Sequence, residues 1–194
     1  MDAMATAAKP RALHFTGNDE ADALLASDPM ALLIGFALDQ QVPVQTAFSG
    51  PLKIKQRLGT LEPRKIAAMD PAELEAAFRD RPAVHRFPGT MAQLVQDLAQ
   101  VVTQEYGGKT ERIWTEAHDG RELDARLRAL PGFGDMKVRS LLAVLANRFG
   151  VRPEGIDDVL PKHPTLGDVD SAEALAEYQA KKRAYKASLR AKQT

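Results

Sequence analysis

The sequence has no cysteine among its 194 residues. The chain therefore cannot form disulfides, hold zinc or an iron–sulfur cluster through cysteine, or use a thiolate as a nucleophile. Its histidines are few and lack the close spacings that bind metal ions. We expect no metal site and no cofactor in this protein. The four histidines are His14, His85, His118 and His163.

Long apolar runs and an excess of charge of one sign are missing as well. No apolar stretch approaches the about 20 residues of a membrane span, and residues 1–15 lack the apolar core of a secretory signal. These absences predict a cytoplasmic protein. The 26 basic and 26 acidic residues give a formal net charge of zero. Any affinity for nucleic acid therefore has to come from a local surface.

Signals for helix starts and stops are frequent, whereas strand-like alternation is rare. Asp28-Pro29 and Asp70-Pro71 each predict an N-cap followed by a first-turn proline, and Glu73 would complete a capping box. Another box, Thr90 to Gln93, predicts the start of a helix that closes at Gly107-Gly108. The sequence thus predicts an all-α protein.

The last third of the chain predicts three helices and one long connection. We expect helices over 121–129, from the turn at 130–134 to Gly150, and over 170–192. Between the last two, residues 151–169 are rich in proline and predict an extended loop. The final helix is acidic at its start and basic at its end, as the helix dipole favours. That basic end is either a solvated tail or an arm that contacts phosphates.

Leu130-Pro131-Gly132-Phe133-Gly134 lies between two of the predicted helices. Two glycines around one apolar residue permit a sharp turn that exposes backbone N–H groups at the start of the next helix. Such a turn can bind a phosphate without a lysine. It can equally be a plain interhelical turn, and these five residues alone leave both interpretations open.

Longer stretches resemble a known family. LPGFGDMKVRSLLAVLANRFG resembles the hairpin and second helix of the helix-hairpin-helix (HhH-GPD) base-excision DNA glycosylases. PMALLIGFALDQQVPVQTAFSGPLKIKQRLG is similar to that superfamily's helix, glutamine-glutamine turn and succeeding helix, and AVHRFPGTMAQLVQDLAQVV to the segment between the two motifs. The resemblance implies a two-lobed, all-α glycosylase fold over residues 20–150. Residues 1–19 would be an N-terminal tail, and 151–194 a loop and basic helix packed on the same domain.

The family's chemistry implies roles for particular residues. The hairpin Leu130 to Gly134 would bind a phosphate of duplex DNA, with Lys137 nearby, and a monovalent cation at the hairpin carbonyls is compatible with it. Gln40 and Gln41 form the glutamine pair, and Gln41 would enter the gap left when a base flips out of the stack. The resemblance further implies a monomer that works in the bacterial cytosol or nucleoid.

The sequence departs from the family pattern at the catalytic positions. Members that also nick the backbone carry a lysine where this chain has Met136. Lys137 is one residue further, which turns its side chain by about 100°, so we expect it to face solvent or a phosphate. The predicted reaction is therefore hydrolysis of the N-glycosidic bond without strand nicking. A binder of DNA lesions or DNA structures that has lost turnover is the alternative.

Two aspartates fit the family's catalytic carboxylate. Asp157 lies at the right distance from Phe149-Gly150, whereas Asp170 better matches an aspartate that opens a helix. Asp170 with Glu173 would also form an ordinary N-cap box, and Asp157 could be a solvated loop residue. The sequence leaves the choice open.

Overall fold

The computed structural model describes residues 9–192, which fold into α-helices with no β-strand among them. The all-α prediction is confirmed. The helices are α1 (Asp19–Ser27), α2 (Pro29–Leu38), α3 (Val44–Leu58), α4 (Pro63–Ala68), α5 (Pro71–Arg79), α6 (Pro88–Tyr106), α7 (Arg112–Thr115), α8 (Gly120–Arg128), α9 (Asp135–Phe149), α10 (Ile156–Val159) and α11 (Ala172–Ala191), with a 3₁₀ turn at Leu166–Asp168.

Side-chain caps mark the starts of five of the eleven α-helices that the structure describes. The Asp28 carboxylate accepts hydrogen bonds from the N–H groups of Met30 and Ala31, and Asp70 caps α5 in the same way. The predicted box at Thr90 is wrong, because α6 begins at Pro88 and Thr90 lies within its first turn. A proline at the first helical position needs no hydrogen-bond partner for its nitrogen, so the helix can start before the threonine.

The segment predicted as an N-terminal tail contributes two side chains to the core in its described part. Leu13 and Phe15 are fully buried, and the Phe15 ring packs edge-on against Phe48 at 5.0 Å between centroids. The buried Asp22 carboxylate accepts hydrogen bonds from the Phe15 and Thr16 amides at 3.1 and 3.0 Å. Residues 9–19 therefore belong to the folded domain, and residues 1–8 of the predicted tail lie outside the described residues.

The helices pack in two sets, α1–α6 and α7–α11, which share a continuous apolar core. Within the first set, α2 lies close to α3 because Gly35 faces the Phe48 ring with no side chain between them. No single helix of residues 9–192 is long and apolar enough to cross a membrane, and α1 and α2 reach that length only as a bent pair.

The connection at 151–169 is a packed element rather than the extended loop that we expected. It contains α10 and the 3₁₀ turn, and Leu166 and Val169 are buried. A Cβ on Gly167 would lie 2.6 Å from the backbone of Ala143, so this turn lies directly on α9. Close backbone approach, which glycine permits, explains how a proline-rich stretch can be packed.

The terminal helix α11 is anchored mainly through its first half. Its N-cap is Ser171, whose hydroxyl accepts a hydrogen bond from the Ala174 amide, so the expected cap at Asp170 is wrong by one residue. Leu175 is buried, and the Gln179 amide donates to the Gln45 side chain of α3 at 2.9 Å. These contacts place α11 across from the end of α2.

Candidate functional site

The hairpin lies between α8 and α9 and has a buried and an open side. Leu130 and Phe133 are buried and Pro131 is half-buried. A Cβ on Gly132, at φ +76°, would lie 2.8 Å from the Leu94 side chain, whereas a Cβ on the exposed Gly134 would meet nothing within 4 Å. The open side therefore carries Gly134 and the N-terminus of α9, which no side chain caps.

The glutamine pair follows α2, and contacts from Met91 and His85 fix its position. Gln40 is half-buried, and its amide donates to the Met91 sulfur at 3.3 Å. The buried His85 donates from Nε2 to the Gln40 carbonyl at 3.1 Å, since its Nδ1 accepts from the Phe87 amide at 3.0 Å. Burial lowers the pKa of His85 and favours this neutral ring. The hydrogen bond from His85 thereby fixes the backbone of the turn at Gln40, next to Gln41.

Gln41 itself is exposed and has an unusual backbone. Its φ of 57° lies in the left-handed region, which is rare for a residue with a side chain. Such strain persists where the surroundings impose it, and it is common at functional sites. The strained turn presents the Gln41 amide at the mouth of a cleft.

That cleft separates the end of α2 from α9 and α11 and has a volume of about 780 Å³. The volume lies within the range of sites that enclose a small molecule. We call it the interlobe cleft. Its lining comes from the α2 end (Phe36, Asp39, Gln41, Val42, Pro43), from α9 (Met136, Lys137, Ser140), from the loop at His163, Pro164 and Thr165, and from α11 (Tyr178, Lys181, Lys182, Tyr185, Lys186).

Lys137 lines the interlobe cleft rather than facing open solvent, and the alternative expectation, that it contacts a phosphate, stays a prediction. Its Nζ donates to the Ala37 carbonyl at 2.8 Å and lies 5.9 Å from the centre of the Phe133 ring. Burial lowers the pKa of Lys137, and the nearby Asp39 charge opposes that change. The Lys137 side chain thus connects α9, the helix that follows the hairpin, to the last turn of α2. Met136 is 69% exposed at the rim.

Asp39 is the carboxylate that the structure places in the cleft lining, and sequence reasoning missed it. Within residues 9–192 no donor makes a hydrogen bond to this carboxylate. The charges of Lys182 and Lys137 lie close enough to lower its pKa. Burial raises the pKa of Asp39, and the lysines oppose the rise. A half-buried carboxylate with free lone pairs can accept a proton from a molecule bound in the cleft.

The two aspartates that the sequence singled out lie elsewhere. Asp157 is exposed on α10, with its carboxylate 3.2 Å from the Arg152 guanidinium. Asp170 is exposed just before the N-cap of α11. Neither lines the interlobe cleft. The catalytic role predicted for one of them stays a prediction, without support from position.

A face of α11 forms the far wall of the cleft and was also missed. Tyr178, Lys181, Lys182, Tyr185 and Lys186 recur at the three- and four-residue spacing that places side chains on one side of a helix. The spacing of these five residues in the sequence is the signal that could have indicated a common helix face. Burial and the Asp39 charge raise the pKa of Tyr178 to about 12, so its phenol is neutral.

Within 9–192, no group of three or more histidine and carboxylate side chains is placed to hold a metal ion. The lining residues of the cleft that can exchange protons or donate hydrogen bonds include Asp39, His163, the lysines and the hydroxyls.

The glutamine turn, the hairpin and most of the cleft lining fall within one region that matches a known protein family. Residues 34–183 match the model of the HhH-GPD superfamily base excision DNA repair proteins. No curated protein and no solved structure matches the chain. The matched range includes the glutamine turn, the hairpin and most of the cleft lining, and proteins of this family bind DNA. This chain belongs to the HhH-GPD superfamily of base-excision DNA repair proteins.

Proposed function

We propose that the protein is a monofunctional DNA glycosylase, which hydrolyses the N-glycosidic bond of a damaged or mismatched base flipped into the interlobe cleft. The observation that carries the proposal is the position of Asp39. This carboxylate, to which no donor of residues 9–192 makes a hydrogen bond, lines a cleft of about 780 Å³. The hairpin and the glutamine turn flank that cleft in a chain of this repair family.

Binding begins at the hairpin in this proposal. The open side of Gly134 lets a phosphate approach the uncapped N-terminus of α9, where N–H groups and the helix dipole stabilise negative charge. Gln41 then enters the space that the flipped base leaves in the stack. Extrusion costs a few kcal/mol, and the long amide offsets part of that cost through hydrogen bonds to the orphaned partner base.

Asp39 performs the chemistry in this proposal. The C1′–N bond breaks with its electron pair on the departing base, the oxygen of water bonds to C1′, and a proton of that water passes to Asp39. The same carboxylate stabilises positive charge on the sugar in the transition state. Since a base must be ionised to accept a proton, Lys182 and Lys137 assist by opposing the effect of burial on the Asp39 pKa.

A second activity, strand nicking through a Schiff base, has one observation in its favour. Lys137 lies in the cleft with a pKa lowered by burial, as an amine nucleophile requires. Against it, the Nζ atom donates to the Ala37 carbonyl and lies at the C-terminal end of α2, where the helix dipole favours the charged ammonium. We therefore assign Lys137 a positioning role.

The test is a panel of duplexes that each carry one lesion or mismatch. The purified protein is incubated with each duplex, and the products are analysed with and without alkali, which cleaves at abasic sites. Cleavage that appears only after alkali supports the proposal. Cleavage without alkali, together with a borohydride-trapped complex that disappears in Lys137→Ala, would establish the lyase instead. No cleavage of any duplex would favour the alternative of a DNA binder without turnover.

A further inference from the structure

The far wall of the interlobe cleft has an unusual charge distribution for a protein without net charge. Lys181, Lys182 and Lys186 all line the cleft, and within the described residues none of them forms an ion pair. Among residues 9–192, Asp39 is the one carboxylate in the cleft lining, and it is close enough to Lys182 and Lys186 to interact with their charges. Three ammonium groups on one helix face repel each other, so they would be stabilised by an anionic ligand.

Two tyrosines alternate with these lysines. The Lys182 ammonium lies 5.6 Å from the centre of the Tyr178 ring, and Tyr185 is 64% exposed at the cleft rim. We call Tyr178, Lys181, Lys182, Tyr185 and Lys186 the lysine–tyrosine face. A basic groove with interspersed aromatic rings is the arrangement that binds single-stranded nucleic acid, with phosphates on the cations and unpaired bases stacked on the rings.

We propose that the lysine–tyrosine face binds the sugar-phosphate backbone on either side of the flipped nucleotide, and that Tyr185 stacks on an unpaired base. The substrate class is thus a duplex with at least one unpaired, extrahelical nucleotide, rather than a regular duplex. The inference rests on the proposed function for its placement of the flipped nucleotide in the cleft. It gives the protein a second DNA contact across the cleft from the hairpin.

Nucleic acid fits this face better than an acidic protein segment does. The face continues into the cleft beside Lys137 and the hairpin helix, so one strand can contact both walls. An acidic peptide would use the lysines, but it would leave the exposed ring of Tyr185 without a planar partner. Poly-glutamate should therefore compete poorly with an oligonucleotide of equal charge, and equal competition would overturn the proposal.

The same helix offers a matched control for charge. Arg183, Arg190 and Lys192 are exposed and do not line the cleft. The test compares Lys181→Gln/Lys182→Gln/Lys186→Gln with Arg183→Gln/Arg190→Gln/Lys192→Gln in the full chain. The ligands are a regular duplex and the same duplex with a one-nucleotide bulge. Affinity is measured over a series of salt concentrations.

We expect the cleft variant to lose affinity for the bulged duplex and to show a shallower salt dependence. Each lost phosphate contact lowers the slope of log K against log[salt] by about 0.7 to 0.9, so two to three contacts give a clear difference. The control variant should change both ligands' affinities equally and slightly. Equal losses in the two variants, or an unchanged slope in the cleft variant, would overturn the proposal.

Stacking has its own pair of variants, which keeps the test decisive if the triple variant is unstable. Tyr185→Ala should weaken binding to the bulged duplex at least about fivefold, while Leu189→Ala, an exposed residue of the same helix outside the cleft lining, should not. Equal effects would overturn the stacking role. These measurements are independent of cleavage, so a failed lesion panel rejects the proposed function without rejecting this binding face.

Discussion

Two basic regions of the molecule differ in how their charges are compensated. On α8 and the start of α9, Arg128 contacts Asp124 at 2.6 Å and Asp135 at 2.9 Å, and Arg139 contacts Asp135 at 2.8 Å. Across the interlobe cleft, the lysines of α11 have no ion pairs within the described residues. Although the net charge is zero, the cations on α8 and α9 are neutralised by carboxylates, whereas the cleft-facing surface of α11 stays positive.

The difference matters because paired and unpaired cations respond differently to DNA. The guanidinium groups of Arg128 and Arg139 hold the pKa of Asp135 below its ordinary value, so all three groups stay charged and their donors stay occupied. A phosphate would have to displace those carboxylates. A phosphate that binds to the lysine–tyrosine face would not have to displace a carboxylate from an ion pair. Binding there would also release counterions from the DNA. Function should thus follow the local arrangement of charge rather than the number of basic residues.

The largest effect should come from the carboxylate that faces the unpaired lysines. On a confirmed substrate, Asp39→Asn should lower single-turnover cleavage at least about a hundredfold, because asparagine cannot accept the proton of water. The wild-type rate should rise with pH through a pKa above the ordinary aspartate value of 3.8, since burial raises the pKa of Asp39. Asp157→Asn and Asp170→Asn, both outside the cleft, are the controls. A loss of cleavage in either control, with full activity in Asp39→Asn, would move the reaction to that aspartate.

A smaller effect is expected at the hairpin. Gly134→Leu should weaken duplex binding at least about tenfold, the equivalent of losing one hydrogen bond to a charged group. The fold should persist, because a Cβ at this position meets nothing within 4 Å. Fluorescence anisotropy gives the affinity, and circular dichroism checks the helices. Unchanged affinity in a folded Gly134→Leu protein would leave the cleft as the main DNA contact.

Gln41 should separate stability from activity. Gln41→Gly relieves a left-handed backbone and should raise the free energy of unfolding by about 0.5 to 1 kcal/mol, since glycine adopts φ 57° freely but loses more entropy on folding. Gln41→Ala removes the same amide without this relief. Both variants should lose cleavage more than binding to intact duplex. Equal losses on damaged and intact DNA would make Gln41 a plain contact residue.

The smallest effect is expected on the neutralised surface. Arg128→Gln/Arg139→Gln removes two positive charges, yet duplex affinity and its salt dependence should hardly change because those charges are already paired. The melting temperature should fall slightly, as exposed ion pairs contribute little to stability. A shallower salt slope here, matching that of the α11 lysine variant, would remove the distinction between the two regions.

Part of the candidate site was predictable because its signals are local. The hairpin was predicted from glycine spacing and from its resemblance to known proteins, and the glutamine turn from the same resemblance. Asp39 was missed because its sequence neighbours describe only the end of a helix. Its position in the cleft depends on Lys137 and on α11, which are about 100 to 150 residues away in the chain.

Most of the long helices, the turn between α8 and α9 and the family were predictable from the sequence, since capping residues, glycine positions and apolar spacing act within a few residues of one another. Ion pairs within one helix, such as Arg139 with Asp135, also follow from local spacing, whereas contacts between distant segments needed the folded chain. Packing placed Leu13 and Phe15 in the core, Gly167 against α9, and Lys137 against the last turn of α2. Burial and electrostatic environment depend on contacts between residues far apart in the chain, so the partly buried position of Asp39 and the positive face of α11 arise only when the two helix sets enclose the cleft.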